Sequence, residues 1–225
     1  MEKNTDTPEL AQPEQKIQAK HIHRFVLTLL IGVVTVIIAP PYIRAWIWWN
    51  IQQHQVLAAF FVLFIVLALS IIWSLGDKLD DFVFVYLNKY GPRTTFADRL
   101  MMLWTQVGNG LTSFILAAIF YFIGHRVFSF QLIFGTITLW LVVELCKLLV
   151  GRRRPYHTIE AARIVGSKAA GFSFPSGHTS QAFFLVTFFI QSFHFSWYAI
   201  VLLYLLAAVT GVTRIYLGAH YPRDV

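Results

Sequence analysis

The sequence predicts an all-α fold: a polytopic integral membrane bundle with amphipathic helices lying along the interface. Two observations predict it. Hydrophobic residues make up 57% of the chain and charged residues only 13%, against roughly a quarter charged in soluble domains. The apolar residues also fall into six runs close to or above the ~18 residues that cross a bilayer. A cluster of tryptophans, Trp46, Trp48 and Trp49, stands where the first run should leave the membrane, as interfacial anchors do.

Taken in chain order, residues 1–24 are polar, carry Pro8 and Pro13, and read as a disordered tail. Lys16, Lys20 and Arg24 precede an apolar run that is too long for a signal-peptide core and has no small-residue cleavage site after it. Residues 25–78 hold two expected transmembrane segments, Phe25 to Trp49 and Val56 to Leu75. Pro40-Pro41 marks a point where the first could break into a hairpin or a tilted piece. Leu79, Phe82, Val83, Tyr86 and Leu87 then recur at helical spacing with Asp80, Asp81 and Lys89 between them. That pattern predicts an interfacial helix ending at Gly91-Pro92. A shorter one follows, Phe96 to Val107, before Gly108 and Gly110. The pair reads either as a connector or as a surface that guides lipid to a site. Four more runs are Leu111–Phe128, Gln131–Val150, Ser176–Phe193 and Phe195–Leu217. The chain stops at HYPRDV, directly after a polar cluster, so a further C-terminal span is expected to be missing.

Some function classes drop out. Cys146 is the single cysteine and lies inside an apolar run, so neither a disulfide framework nor a cysteine metal cluster is expected. The net charge of +7 comes without basic residues interleaved with aromatics on a soluble face, which argues against nucleic acid. It suits basic membrane loops or an anionic substrate.

Three polar clusters interrupt the apolar texture. Lys147, Arg152, Arg153, Arg154 and Pro155 end the fourth run. Pro175, Ser176, Gly177 and His178 open the fifth; Pro175 suits a helix start, and the first amides of a helix form a ready anion site. Gly177 would let a ligand approach the backbone. Arg214, His220 and Asp224 end the sixth run, and an Asp beside a His fixes its tautomer and raises its basicity. Each cluster alone would pass for a polar helix end. If each intervening run crosses once, all three lie on one face of the membrane. Together they hold cations, helix amides, two histidines and a carboxylate, the set that phosphoryl transfer requires. No acidic cluster suited to Mg²⁺ or Ca²⁺ accompanies them, so neither a metal nor another cofactor is expected.

Lys147 to Pro155 (K-x6-RP), Pro175 to His178 (PSGH) and Arg214 to Asp224 (R-x5-H-x3-D) resemble the three signature motifs of the type 2 phosphatidic acid phosphatase (PAP2) superfamily. That superfamily also contains glucose-6-phosphatases and vanadium-dependent haloperoxidases. The resemblance covers residues 79–225, with Thr213 standing where the family usually has serine. The ending HYPRD resembles bacterial phosphatidylglycerophosphate phosphatase B-type enzymes, which often also act on undecaprenyl pyrophosphate. The resemblance implies a metal-independent lipid phosphatase with 79–225 as its catalytic core. His220 would be the nucleophile, Asp224 its orienting partner, and His178 the acid and later the base. Lys147, Arg154, Ser176, Gly177 and Arg214 would hold the phosphate. The implied partners are the bilayer and a membrane lipid phosphate: phosphatidylglycerophosphate, phosphatidic acid or undecaprenyl pyrophosphate. A phosphotransferase with the same intermediate, or an anion transporter using the same cations, are the alternatives.

The family also implies a bacterial inner-membrane protein with an extracytoplasmic site. Simple counting of spans puts Lys16, Lys20, Arg24, Lys78, Lys89, Arg93 and Arg99 on the motif side, against the positive-inside rule. Either one early run does not cross fully or the topology is unusual. Outside the motifs, Arg152 and Arg153 read as headgroup contacts. Glu144 reads as the partner of Lys147 three residues on. His21, His23, His54, His125, His157 and His194 read as interfacial.

Overall fold

The computed structural model describes residues 11–225, without the side chains of residues 11–20 and 22. All regular structure among the described residues is helical. The contacts divide the chain into two units. One takes the residues up to Leu75 with Leu149–Gly151; the other takes Gly76–Leu148 and Arg152–Val225.

The first unit departs from the sequence reading at its start and bears out the break expected at Pro40-Pro41. Helix α1 (Ala11–Ile38) begins inside the stretch expected as a disordered tail, of which residues 1–10 lie outside the description. Ala11, Glu14, Gln15, Lys16, Gln18, Ala19 and Lys20 are strong helix formers, and the apolar run behind them supplies a helix that can propagate back through them. The first apolar run is not one straight span. Helix α2 (Pro41–Gln53) leaves α1 at a bend of 116° at Pro40-Pro41. Pro41 cannot continue α1 but is well placed to open α2. Helix α3 (Gln55–Ile72) follows, apolar along its whole length.

The second unit contains α4 (Asp77–Lys89), α5 (Thr95–Trp104), a 3₁₀ turn (Thr105–Gly108) and α6 (Gly110–Phe122). Then come α7 (Arg126–Val150), the short α8 (Pro155–Thr158), α9 (Gly177–Ser192), α10 (Trp197–Tyr216) and a closing 3₁₀ turn (Pro222–Asp224). Three stretches are long and apolar enough to span: Gln55–Ile72, Arg126–Thr158 and Trp197–Tyr216. Two bent pairs, α1 with α2 and α5 with α6, raise the number to five. The expected run Leu111–Phe128 is cut short at Phe122, because Gly124 adopts φ +99° and turns the chain. The run Ser176–Phe193 yields a helix of 16 residues, slightly short of a bilayer.

Packing in this unit explains the choice of inward residues. Ala117, Leu132 and Leu185 are buried among Phe128, Phe184, Phe188 and Phe189, joining α6, α7 and α9. Gln181 donates from Nε2 to Ser113 Oγ at 2.7 Å and Thr136 Oγ1 at 3.2 Å, tying the same three helices. Helix α4 is amphipathic as its periodicity predicts, and its faces are unusual. Asp80, Phe84 and Asn88, spaced four apart, point inward, while Leu79, Phe82 and Tyr86 are exposed. An outward apolar face suits lipid. An inward carboxylate and amide require partners, and the site supplies them.

Candidate active site

The end of α10 is built to return the chain over itself. Gly218 has φ +81°, and a Cβ there would stand 2.2 Å from the Arg163 carbonyl oxygen, so glycine is required. The reversal lets the Gly218 amide donate to Ile215 O, and the Ala219 and His220 amides donate to Arg214 O at 3.0 and 3.3 Å. This caps the helix and delivers the His220 ring into the interior, where it is 2% exposed. Asn88 holds the reversed strand from α4: its Nδ2 donates to Tyr216 O and Arg163 O, each at 2.8 Å, and its Oδ1 accepts from the Arg163 amide.

Asp224 lies behind His220. Its Oδ2 is 3.7 Å from His220 Nδ1 and accepts from Ser173 Oγ at 2.5 Å and the Tyr221 amide at 2.8 Å. Its Oδ1 accepts from Arg152 Nη1 at 2.7 Å. Burial alone would raise the Asp224 carboxyl, but His220, Arg152 and Ser173 outweigh it and hold it below the usual carboxylate range. His220 moves down too, to about 4: burial disfavours its cation more than Asp224 favours it. The ring is therefore neutral at physiological pH.

On the other side of the ring, Arg154 Nη1 is 3.2 Å from His220 Nε2. A guanidinium has only donors, so Nε2 must present its lone pair. The proton then resides on Nδ1, toward Asp224 and Ser173 Oγ (3.5 Å). Arg154 is itself fixed by backbone carbonyls: Nε to Gly171 O at 3.0 Å, Nη2 to Ala170 O at 2.8 Å and Nη1 to Ala219 O at 2.9 Å.

The PSGH turn approaches from α9. Ser176, not Pro175, is the N-cap: its Oγ accepts from Thr179 N at 3.4 Å and Thr179 Oγ1 at 3.0 Å. Its amide donates to the Asp224 carbonyl at 2.8 Å, locking the second motif onto the third. Gly177 and His178 form the first helical turn, where amides lack helical acceptors. The ionisable groups acting on His178 are Arg214, His220, Lys147 and Arg154. Arg214 donates from Nη1 to Thr105 Oγ1 at 3.1 Å, and its buried Nε has no partner. A buried cation with a spare donor suits an anion. Lys147 pairs with Glu144 at 2.6 Å, as the sequence suggests. With Gly177 and His178 the pair lines the polar part of a cavity of about 460 Å³, whose other walls include Phe114, Ile137, Trp140 and Val143.

His220, Asp224, Arg154 and Ser176 thus share direct hydrogen bonds or ion pairs with one another or through the Asp224 segment. Lys147, Gly177 and His178 share the cavity, and Arg214 is anchored separately by Thr105. Four contributors were not singled out from sequence. Ser173 and Thr105 orient Asp224 and Arg214. Arg152, read as a headgroup contact, instead bridges Asp224 and Asp80, with its guanidinium 4.1 Å above the Tyr221 ring. Asp80 had a usable signal: it falls in register with Phe84 and Asn88 on one helix face.

A family model, the PAP2 superfamily, matches residues 128–225. Over 82 residues the chain is 40% identical to a lipid A 4'-phosphatase of Bacteroides thetaiotaomicron, covering 34% of this chain and 36% of that one. The match thus spans about a third of that relative's length. The crystal structure of Aquifex aeolicus LpxE superposes with a TM-score of 0.54 at 29% identity, over 64% of this chain and 83% of that one. A PAP2-type phosphatidylglycerolphosphate phosphatase from Bacillus subtilis gives a TM-score of 0.59 at 22% identity, over 75% and 86%, a likeness of fold. All three signature motifs fall inside residues 128–225, the part of the chain that matches the PAP2 superfamily model, and there they meet around the His220–Asp224–Arg154 centre.

Proposed function

We propose that residues 79–225 form the catalytic core of a membrane lipid phosphatase that works through a phosphohistidine on His220. The observation that carries this reading is the His220 ring, held with its Nε2 lone pair toward Arg154 and its Nδ1 toward Asp224. That is the state required of an imidazole nucleophile. Nε2 attacks phosphorus as the bond to the lipid oxygen breaks. Arg154, Arg214, Lys147 and the Gly177 amide neutralise the phosphoryl oxygens, with Ser176 closing the turn beneath them. His178 gives a proton to the leaving oxygen, then takes one from water, which attacks phosphorus and frees His220. The apolar walls beside Lys147 and His178 suit a substrate that stays in the bilayer. The substrate classes are phosphatidylglycerophosphate, phosphatidic acid and undecaprenyl pyrophosphate, and the lipid A 4'-phosphatase likeness adds a phosphorylated glycolipid. The setting is a bacterial inner membrane with the site on the extracytoplasmic face.

The test is phosphate release from a panel of these four lipids by purified protein in detergent with excess EDTA. Release from at least one is expected. His220→Ala should lower it by several orders of magnitude and abolish an acid-labile phosphoenzyme. Transfer of the phosphoryl group to a lipid acceptor without free phosphate would make the protein a phosphotransferase. Anion flux from liposomes with neither would make it a transporter.

A further inference from the structure

Arg152 lies inside the first motif's loop but does not face the cations that surround His220 Nε2. Its Nη1 reaches Asp224 Oδ1 at 2.7 Å and its Nη2 reaches the carboxylate of Asp80 on α4. Asp80 is 2% exposed and also accepts from the Arg223 amide at 3.1 Å and Arg223 Nε at 2.7 Å. Arg223 Nη2 closes the array on Asp77 at 2.5 Å. An interfacial helix therefore reaches the back of the catalytic carboxylate through one arginine. Without Arg152 the Asp80 carboxylate would keep Arg223, whereas the Asp224 carboxylate would lose the arginine that is hydrogen-bonded to it, and a buried acid left without its cation is strongly destabilising.

We propose that Arg152 is a positioning residue for the reaction: held by Asp80 of α4, it holds the Asp224 carboxylate toward His220 Nδ1, and it never touches substrate. This rests on the phosphatase reading of the site. The charged and titratable groups around Asp224 are known from every side. His220, Tyr221 and Arg223 belong to its own segment. Arg152 and Arg154 follow α7, and Asp77, Asp80 and Asp81 come from α4. Arg214 of α10 and His178 of α9 act on His220 from beyond. Of these, Arg152 alone is a cation hydrogen-bonded to the Asp224 carboxylate among the described residues.

Arg152→Gln should lower kcat by about 10- to 100-fold, the size of losing a charge-assisted hydrogen bond, with KM within about twofold of the parent. It should also move the acid limb of the kcat profile to higher pH, because with Arg152 gone His220 and Ser173 are left to hold Asp224 down against its burial. Asp80→Asn removes a like charge from the neighbourhood of Asp224, so the limb should move down or stay while kcat falls less. The double variant also removes one of the two negative charges that Arg152 bridges, and should recover part of the Arg152→Gln loss. Should Arg152→Gln fail to fold, Asp80→Asn carries the second sign, and Arg152→Lys, which keeps a cation but lacks the fork that bridges Asp80 and Asp224, should lower kcat with its acid limb close to the parent's; an unchanged kcat in Arg152→Lys would overturn the proposal. A raised KM with unchanged kcat would make Arg152 a substrate ligand and overturn the proposal. Lower thermal stability with an unmoved pH profile would reduce it to a structural role and overturn it as well. Imidazole nitrogen NMR of His220 in detergent separates this from the phosphatase reading. If the parent releases no phosphate from any lipid, a changed His220 tautomer population in Arg152→Gln would still uphold the positioning role. An unchanged one would end it.

Discussion

Replacing Asp224 by Asn tests the geometry behind His220, the proposed nucleophile. The parent carboxylate accepts on both oxygens: Oδ2 from Ser173 Oγ and the Tyr221 amide, Oδ1 from Arg152 Nη1. An asparagine can accept on only one. With its oxygen at the Oδ2 position, the new NH₂ meets Arg152, donor against donor. With the amide reversed, the NH₂ meets the Tyr221 N–H, which is fixed in the backbone, and also the Nδ1 proton of His220. The first arrangement gives up one movable contact and the second two fixed ones, so the oxygen should stay toward His220 and preserve its tautomer. What is lost is the charge and one charge-assisted hydrogen bond, worth roughly 1.5–3 kcal/mol, or about 10- to 150-fold. Inverting the tautomer would be far worse, since Asp→Asn in a serine-protease triad removes about 10⁴ in kcat. We therefore expect kcat to fall by about 10²-fold. Phosphate release from the best lipid substrate measures it. A loss near 10⁴ would refute the orientation argued here. A loss under about threefold would remove Asp224 from the mechanism. The pH response has a definite sign. Asp224 pulls His220 upward against its burial, so without it the imidazole, already at about 4, becomes harder to protonate. The variant's residual activity should stay flat on acidification from neutrality to about pH 5.

His178→Ala should be severely impaired, by about 10²–10⁴-fold, on a lipid phosphomonoester whose alkoxide needs a proton. The loss should be clearly smaller on nitrophenyl phosphate, and equal losses on both would withdraw the acid role. Gly108→Ala tests the turn that carries Thr105. A Cβ there would stand 2.1 Å from the His178 carbonyl oxygen, so the turn must shift away from α9 at about 1–3 kcal/mol, and thermal denaturation should show it. Arg214, held by Thr105 Oγ1, should move with it and raise KM; unchanged stability and KM would refute the contact.

The motifs were legible because each announces itself locally. PSGH opens a helix, the Arg–His–Asp spacing closes one, and the basic run ends another. Their shared face followed from counting spans. Even the break at Pro40-Pro41 was open to inspection, since two prolines cannot both continue a helix. What escaped was long-range. Arg152 meets Asp80 and Asp224 from 72 residues away in each direction, and a basic residue beside other basic residues at a helix end gives no sign of which one turns inward. Ser173 and Thr105 are small hydroxyl residues whose role exists only once Asp224 and Arg214 are in place. Spans were misjudged for a different reason. Hydropathy counts apolar residues but not backbone turns, so Gly124 was hidden inside what looked like a continuous run.

The division of labour between helix ends and helix bodies follows from the solvent. In hydrocarbon an unpaired charge is costly, and ionisable groups within spans are paired or face a cavity. Here His220, Asp224 and the arginines all lie beyond or at the last turns of α7 and α10, and each is held by a helix end, a backbone carbonyl, a hydroxyl or an opposite charge. Arg154 takes three carbonyls, Asp224 takes one arginine, and Ser176 caps α9. Lys147 is the exception. It sits inside α7, where the only nearby acid on its own helix is Glu144, one turn back. That pair faces the cavity rather than the protein interior. An incoming phosphate must therefore compete with Glu144 for Lys147, whereas Arg214 Nε stands buried and unpartnered. A contact between an anion and Arg214 Nε costs no existing ion pair, whereas one with Lys147 does.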